Sequence, residues 1–221
     1  MTPTSNNGKT GISIPAATME RLPRYLMQLF RLRRKNCDSV NSQSLGEALG
    51  LKDTQIRKDL SYFGVFGKAR YGYNVEYLIK AIESILGLTS EYNLAIIGVG
   101  NLGKALANYA VQVNSNFVLK LLVDTNPEII GTTVADLPVR SMDDLPQLLS
   151  TQEIHIGIIA VPEKAAVDVA NILVEGGVRA LYNFSQAELH HIEGVFIENA
   201  SISYGVYKLA HHLSGSWPRK K

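Results

Sequence analysis

The sequence predicts an α/β chain in two parts, a winged helix-turn-helix unit in the first third and a doubly wound parallel sheet in the remainder, closed by a separate C-terminal helix. Three observations carry this. Apolar spacing is helical up to about residue 88 and then changes to short buried-strand runs alternating with helices. Basic residues gather before that change: residues 1–88 hold 13 Lys+Arg against 7 Asp+Glu, net +6, and the rest of the chain nets −4. A glycine-rich turn, Gly98 to Gly103, follows the first strand of the second part.

The 221 residues are 46% hydrophobic and 19% charged, enough apolar material to bury a core in each of two domains. Residues 1–13 are polar, lack the apolar stretch of a signal peptide and are expected to form a disordered tail. No apolar run reaches the roughly 18 residues of a membrane span, so a cytoplasmic location is expected. Cys37 is the sole cysteine, which excludes a disulfide within this chain and a cysteine-based zinc site. The basic first third makes a polyanion partner plausible.

In the first part, Leu22, Leu26, Leu29, Phe30 and Leu32 predict a helix over 22–35, with Pro23 near its start. A second helix is predicted over 44–49, stopped by Gly50, and a third over 54–62 with Asp53 as its N-cap. Residues 63–75 alternate around Gly64, Gly67 and Gly72, as a twisted hairpin or wing would. A helix over 75–86 and a polar break at 87–92 complete a domain of residues 14–88.

The second domain is placed at 89–202. Strands over 94–98 and 117–124 flank a helix over 102–112, a βαβ unit. A strand over 156–161 leads through Pro162 into a helix over 165–175, and a further strand follows at 180–183. Residues 203–221 hold a last helix whose Val206, Leu209, Ala210 and Leu213 have no obvious partner in the sheet, so it is expected to pack on another subunit.

The turn carries the most specific chemistry. Gly98 permits the tight bend, Gly100 lets the backbone approach a pyrophosphate, and Gly103 lets the helix pack closely on the strand, with Val99, Asn101 and Leu102 between them. The helix N-terminus then faces the phosphates. Asp124 ends the next strand 21 residues after Gly103, where a carboxylate accepts ribose hydroxyls. Thr125 and Asn126 follow it rather than an arginine, which favours NAD(H) over its phosphorylated analogue. A glycine turn that serves packing alone, and an Asp124 that only forms a turn, are the competing readings. No catalytic group is placed: His155, the pair His190 and His191, and the pair His211 and His212 are better read as solvated, and no ligand set has metal spacing.

On the third helix Thr54, Gln55, Arg57, Lys58, Ser61 and Tyr62 are candidates for reaching DNA, while Ile56, Leu60 and Phe63 face inward. Lys68, Arg70, Tyr71, Gly72 and Tyr73 are the candidates on the wing. A charged helix face is often merely solvated; the helix-turn-helix spacing before it and the basic wing after it favour DNA.

Ile14 and Pro15, Arg21 to Pro23, Arg57 to Gly64, Gly72 and Tyr73, Gly98 to Gly103, Val161 and Pro162, and Asn183 and Phe184 together resemble the Rex family of redox-sensing repressors, in order and spacing, over residues 14–213. The resemblance implies a homodimer with exchanged C-terminal helices that binds a palindromic double-stranded DNA operator and releases it when NADH binds. It also implies that Val161, Pro162, Asn183 and Phe184 lie near the dinucleotide and Tyr109 near its nicotinamide.

The chain departs from the family pattern at Met27 and Ser201, where the family usually has an arginine and an aspartate that form an interdomain ion pair. Losing both leaves no unpaired buried charge but removes a contact that reports the cofactor. Ala69, Arg70 and Gln186 also depart, in the wing and after the Asn-Phe pair. The expected function is a repressor tuned by NADH/NAD+. The alternatives are a related DNA-binding paralogue that has lost redox sensing and, from another class, a small NAD-dependent dehydrogenase or CoA-binding subunit.

Overall fold

The computed structural model describes residues 14–62, 67–68, 72–113 and 116–216, so the expected tail over 1–13 lies outside the described residues. Contacts gather the chain into two units, one up to Ser90 and one from Glu91.

The first unit runs α1 (Ala16–Arg34), β1 (Ser39–Val40), α2 (Ser42–Leu49), α3 (Asp53–Ser61), β2 (Gly67–Lys68), β3 (Gly72–Asn74) and α4 (Val75–Ile85). Helix α1 starts at Ala16, not at the predicted residue 22, so Pro23 sits inside it. The extra turns are fixed by tertiary contacts: Thr18 and Arg21 reach Asp59 of α3, a gain that no local pattern signals. Asp53, read as the N-cap of α3, is its first helical residue, and its carboxylate pairs with Arg57 one turn on at 2.8 Å. Gly50 stops α2 as predicted, in the left-handed region at φ 67°. Leu22, Tyr25, Leu29, Leu45, Ile56, Leu60, Leu78, Ile79 and Ile82 fill the core between the helices. The wing strands join β1 in a sheet of order β1-β3-β2. β1 has two residues, too few to carry a periodic signal.

The second unit contains β4 (Tyr92–Ile97), α5 (Asn101–Val113), β5 (Phe117–Asp124), β6 (Thr133–Val134), β7 (Leu137–Ser141), α6 (Leu145–Thr151), β8 (Ile156–Ile159), α7 (Ala166–Glu175), β9 (Ala180–Asn183), β10 (Phe196–Asn199) and α8 (Ile202–Ser216). Its sheet has the order β10-β9-β8-β4-β5-β7-β6, and only β6 runs antiparallel to its neighbour. In chain order the parallel strands therefore lie 3-2-1-4-5-6, the arrangement of dinucleotide-binding sheets. The strand sequence reverses direction between β4 and β8, which opens a crevice at their C-terminal ends.

Alternation sorts the strands between two faces, broken once in β5, where a register shift at Lys120 puts Leu119 and Leu121 on opposite faces. Ala95, Ile97, Leu121, Val123 and Ile159 pack with Leu145 and Leu149 of α6 and Val169 and Leu173 of α7. Leu94, Ile96, Leu119 and Leu122 pack with Ala107 of α5 on the other side. The link from β9 to β10 makes no helix, and Tyr182 and Phe196, which point away from α7, remain exposed. Residues 203–214 of α8 are exposed as well. Among the described residues no helix is long and apolar enough to cross a membrane.

Candidate functional site

The C-terminal ends of β5, β4, β8 and β9 lie side by side, and they carry Asp124, the Gly98 turn, Val161 with Pro162, and Asn183 with Phe184 respectively. The sheet order thus brings together residues up to 86 positions apart, from 98 to 184. Gly98 has φ 93°, and a Cβ there would lie 2.5 Å from the Ala160 carbonyl oxygen. A Cβ on Gly103 would collide with the Gly98 carbonyl oxygen, so α5 can approach β4 this closely only with glycine at 103. At Gly100, by contrast, a Cβ would meet nothing within 4 Å. That open space lies beside the amides of Asn101, Leu102 and Gly103, which as the first turn of α5 have no intrahelical acceptor. Open space against a helix N-terminus suits a pyrophosphate.

Asp124 anchors this turn. Its Oδ2 accepts from the Val99 amide at 2.6 Å and its Oδ1 from the Asn126 amide at 2.8 Å. A carboxylate offers about four lone-pair sites, so the two oxygens retain capacity for ribose hydroxyls. Turn forming and hydroxyl acceptance, set against each other in the sequence, are compatible in one side chain. Val99 is fully buried, Leu102 is exposed, and Tyr109 stands exposed on α5. Pro162 caps a one-turn 3-10 helix after β8. The Phe184 ring lies 4.3 Å from that of Tyr182, and its amide bonds the Ile159 carbonyl at 2.8 Å. Asn183 is fully buried and its carboxamide is spent on protein partners, so its role there is to hold the loop after β9.

In the first unit Thr54, Arg57, Lys58 and Ser61 form the exposed face of α3. Arg57 is held by Asp53, and Ser61 Oγ donates to the Lys58 carbonyl at 2.7 Å. Tyr62 is the partly buried C-cap. Gly72 has φ 77°, and a Cβ there would lie 2.7 Å from the Val40 carbonyl oxygen, so the wing packs on β1 only with glycine. Tyr73 is partly buried against the core, and burial raises its phenol pKa, an effect the Arg57 charge partly offsets. Arg70 and Tyr71 lie outside the described residues, and Lys68 is described as a β2 residue only.

The functional residue that sequence reasoning missed is Asp59. It is fully buried and accepts from Arg21 Nε and Nη2 at 2.7 Å each, Tyr25 Oη at 2.5 Å, Gln55 Nε2 at 2.8 Å and Thr18 Oγ1 at 3.1 Å. Gln55, expected to face DNA, instead donates inward to this carboxylate. Burial alone pushes the Asp59 carboxyl up, but the donors, led by Arg21, outweigh it and hold the pKa at about 2. The bond to Asp59 raises Arg21, and burial raises the Tyr25 phenol, with Asp59 adding to the shift. The network locks the orientation of α3 against α1, and with it the exposed face. A charged residue next to Arg57 and Lys58 gave no signal of facing the other way.

Residues 13–61 match the family described as putative DNA-binding protein N-terminus, and residues 89–187 match the CoA binding domain family. The redox-sensing transcriptional repressor Rex of Clostridium novyi (strain NT) is 41% identical over 203 residues, which is 92% of this chain and 97% of that protein. The chain belongs to the Rex family. The family's member from Clostridium acetobutylicum is 40% identical over 90% of this chain and 92% of its own length. A crystal structure of RSP, a Rex-family repressor, superposes with a TM-score of 0.81 at 36% identity, covering 94% of this chain and 96% of that one. RSP in complex with NAD+ and operator DNA gives a TM-score of 0.82 at 37% identity, covering 94% of each chain. Relatives that match both units end to end are repressors, and the dehydrogenase and CoA-enzyme alternatives give way to that.

Asp59→Asn leaves Arg21 facing a neutral amide and is expected to destabilise the first unit by about 3 kcal/mol, read by urea unfolding with circular dichroism. An unchanged midpoint would contradict the network's role. Because the folded pKa of about 2 lies below the ordinary 3.8, Asp59 contributes about 2 kcal/mol that is fully present above pH 4 and fades as pH falls to 2. The wild-type advantage over Asp59→Asn should shrink across that window.

The glycines separate fold from binding. Gly103→Ala is expected to lower stability by about 3 kcal/mol through overpacking. Gly100→Ala should leave the melting curve unchanged while weakening NADH at least about tenfold. Equal NADH affinity in Gly100→Ala and wild type would contradict the placement of a pyrophosphate there.

Proposed function

We propose that this chain is an intracellular transcriptional repressor whose first unit binds operator DNA and whose second unit binds NAD(H), with DNA affinity set by NADH/NAD+. The single observation that carries this is the join, in one chain of the Rex family, of an α3-plus-wing reader with a sheet edge fitted to a dinucleotide. RSP, similar over 94% of this chain, has been solved both with NAD+ and operator DNA and with NADH.

Gly98, Val99, Gly100, Asn101, Leu102 and Gly103 receive the pyrophosphate against the N-terminus of α5, and Asp124 accepts the adenosine ribose hydroxyls. Val161, Pro162 and Phe184 border the nicotinamide half, Asn183 sets the loop that presents Phe184, and Tyr109 extends from α5. The dinucleotide supplies a two-state redox signal; this chain's residues bind it, orient it and carry its presence to the reader. Thr54, Arg57, Lys58 and Ser61 face the duplex, Gln55 is a brace, Tyr62 closes the helix, and Lys68, Arg70, Tyr71, Gly72 and Tyr73 belong to the wing contact.

The exposed apolar side chains of α8, Val206, Leu209 and Leu213 with Tyr204 and Tyr207, support a homodimer in which this helix is buried by a second copy. A twofold dimer reads a palindromic operator.

One observation favours a second reading, a paralogue blind to redox state. Met27 is exposed and uncharged, and Ser201 Oγ accepts from the Tyr204 amide at 3.2 Å at the start of α8, so neither position offers a charge for coupling. Fluorescence anisotropy with a palindromic duplex at fixed salt decides between them. NADH is expected to weaken binding by about tenfold while NAD+ does not. Tight binding indifferent to both supports the second reading, in which case Met27→Arg combined with Ser201→Asp should create a response.

A further inference from the structure

Asn183 ends β9, Asn199 ends β10, and the two are register partners in the sheet. Asn183 Nδ2 donates to the Ala187 carbonyl at 2.6 Å and to Asn199 Oδ1 at 2.8 Å, while its Oδ1 accepts from the Ser185 amide at 3.0 Å and hydroxyl at 2.7 Å. Asn199 holds the Leu189 backbone in both directions: its Oδ1 accepts from the amide and its Nδ2 donates to the carbonyl, each at 3.1 Å. One residue on, the Ala200 amide donates to the Asn183 carbonyl at 2.8 Å. Helix α8 begins at Ile202. The loop that leaves the sheet at Phe184 and the root of α8 are therefore joined by continuous hydrogen bonds with no slack between them.

We propose that Asn199 is a positioning residue that transmits occupancy of the dinucleotide edge to α8. The inference rests on the NAD(H)-binding reading above and goes beyond it by assigning the link. A group seated against Phe184 stiffens or shifts residues 184–189, and Asn199, bonded to both Leu189 and Asn183, carries the change to Ala200. Over the 15 residues of α8, about 22 Å of helix, a small rotation at the root becomes a large displacement at the far end. Asn199 is itself exposed, so water would satisfy its carboxamide if these bonds were absent. Its partners are buried, Asn183 fully and Leu189 nearly so, so Asn199→Ala leaves an Asn183 N–H and the Leu189 amide and carbonyl without these bonds and is expected to lower stability, which is why Asn199→Asp, which keeps the acceptor, is measured beside it.

The test is hydrogen exchange on the full chain with and without NADH, for wild type, Asn199→Ala and Asn199→Asp, with NADH affinity measured first by its fluorescence. In wild type NADH is expected to slow exchange at both 184–189 and 200–206. Asn199→Ala should bind NADH within about threefold of wild type and keep the slowing at 184–189, but lose it at 200–206. Asn199→Asp, which keeps the acceptor and loses the donor, should respond in between. Transmission to 200–206 undiminished in Asn199→Ala overturns the proposal, as does a wild type in which only 184–189 responds. Should Asn199→Ala fail to fold, an Asn199→Asp response equal to wild type overturns it equally. Absence of NADH binding in wild type would instead overturn the functional reading itself, and this inference with it.

Discussion

The cofactor half of the molecule depends on one contact that only glycine permits, the approach of Gly103 to the Gly98 carbonyl oxygen. It seats α5 directly on β4 and turns the helix N-terminus toward the crevice where the strand order reverses. Gly98, in turn, sits against the Ala160 carbonyl oxygen, so the ends of β4 and β8 close together. Asp124 completes the arrangement from the neighbouring strand by holding the Val99 amide. A binding edge built this way is preorganised, because the groups that would meet a ligand are already held by backbone packing.

The reader depends on electrostatics instead. Asp59, itself fully buried, gathers donors from α1 and from its own helix, so α3 is fixed in orientation as well as position. Such a network is a poor source of net stability compared with apolar packing, but an incomplete one is costly, which makes it a device for specifying a single arrangement. Helix orientation is what a base-reading helix needs, since a rotation by one residue, about 100°, would carry Arg57 and Lys58 off the face they share with Thr54 and Ser61.

Much of this was legible in the chain. The strands around β4, β5 and β8 are mostly apolar runs, which is how doubly covered parallel strands read, and with the strand at β9 their order gave the sheet its class. Strands β7 and β10 were not legible. β7 contains Pro138 and Arg140 and buries only Val139 deeply, and β10 is an edge strand with Phe196, Glu198 and Asn199 exposed. The seven residues of α6 are too few to show a period. At the candidate sites the glycines announced themselves because their roles are backbone roles tied to spacing. Asp59 and Gln55 did not, because a polar residue bonded inward has the same sequence appearance as one facing solvent. Asn199 was silent for the same reason: its partners lie in a loop brought beside it only by the pairing of β9 with β10.

The two halves form one device only if their ligands sense each other. Binding free energies are reciprocal, so an operator duplex must weaken NADH by the same factor by which NADH weakens the duplex. The most direct measurement is NADH affinity, by its fluorescence, in the absence and presence of a saturating operator duplex. Coupling between the sheet edge and the reader requires a fall of about tenfold with DNA bound. Identical affinities would mean that the two sites, each intact, do not communicate.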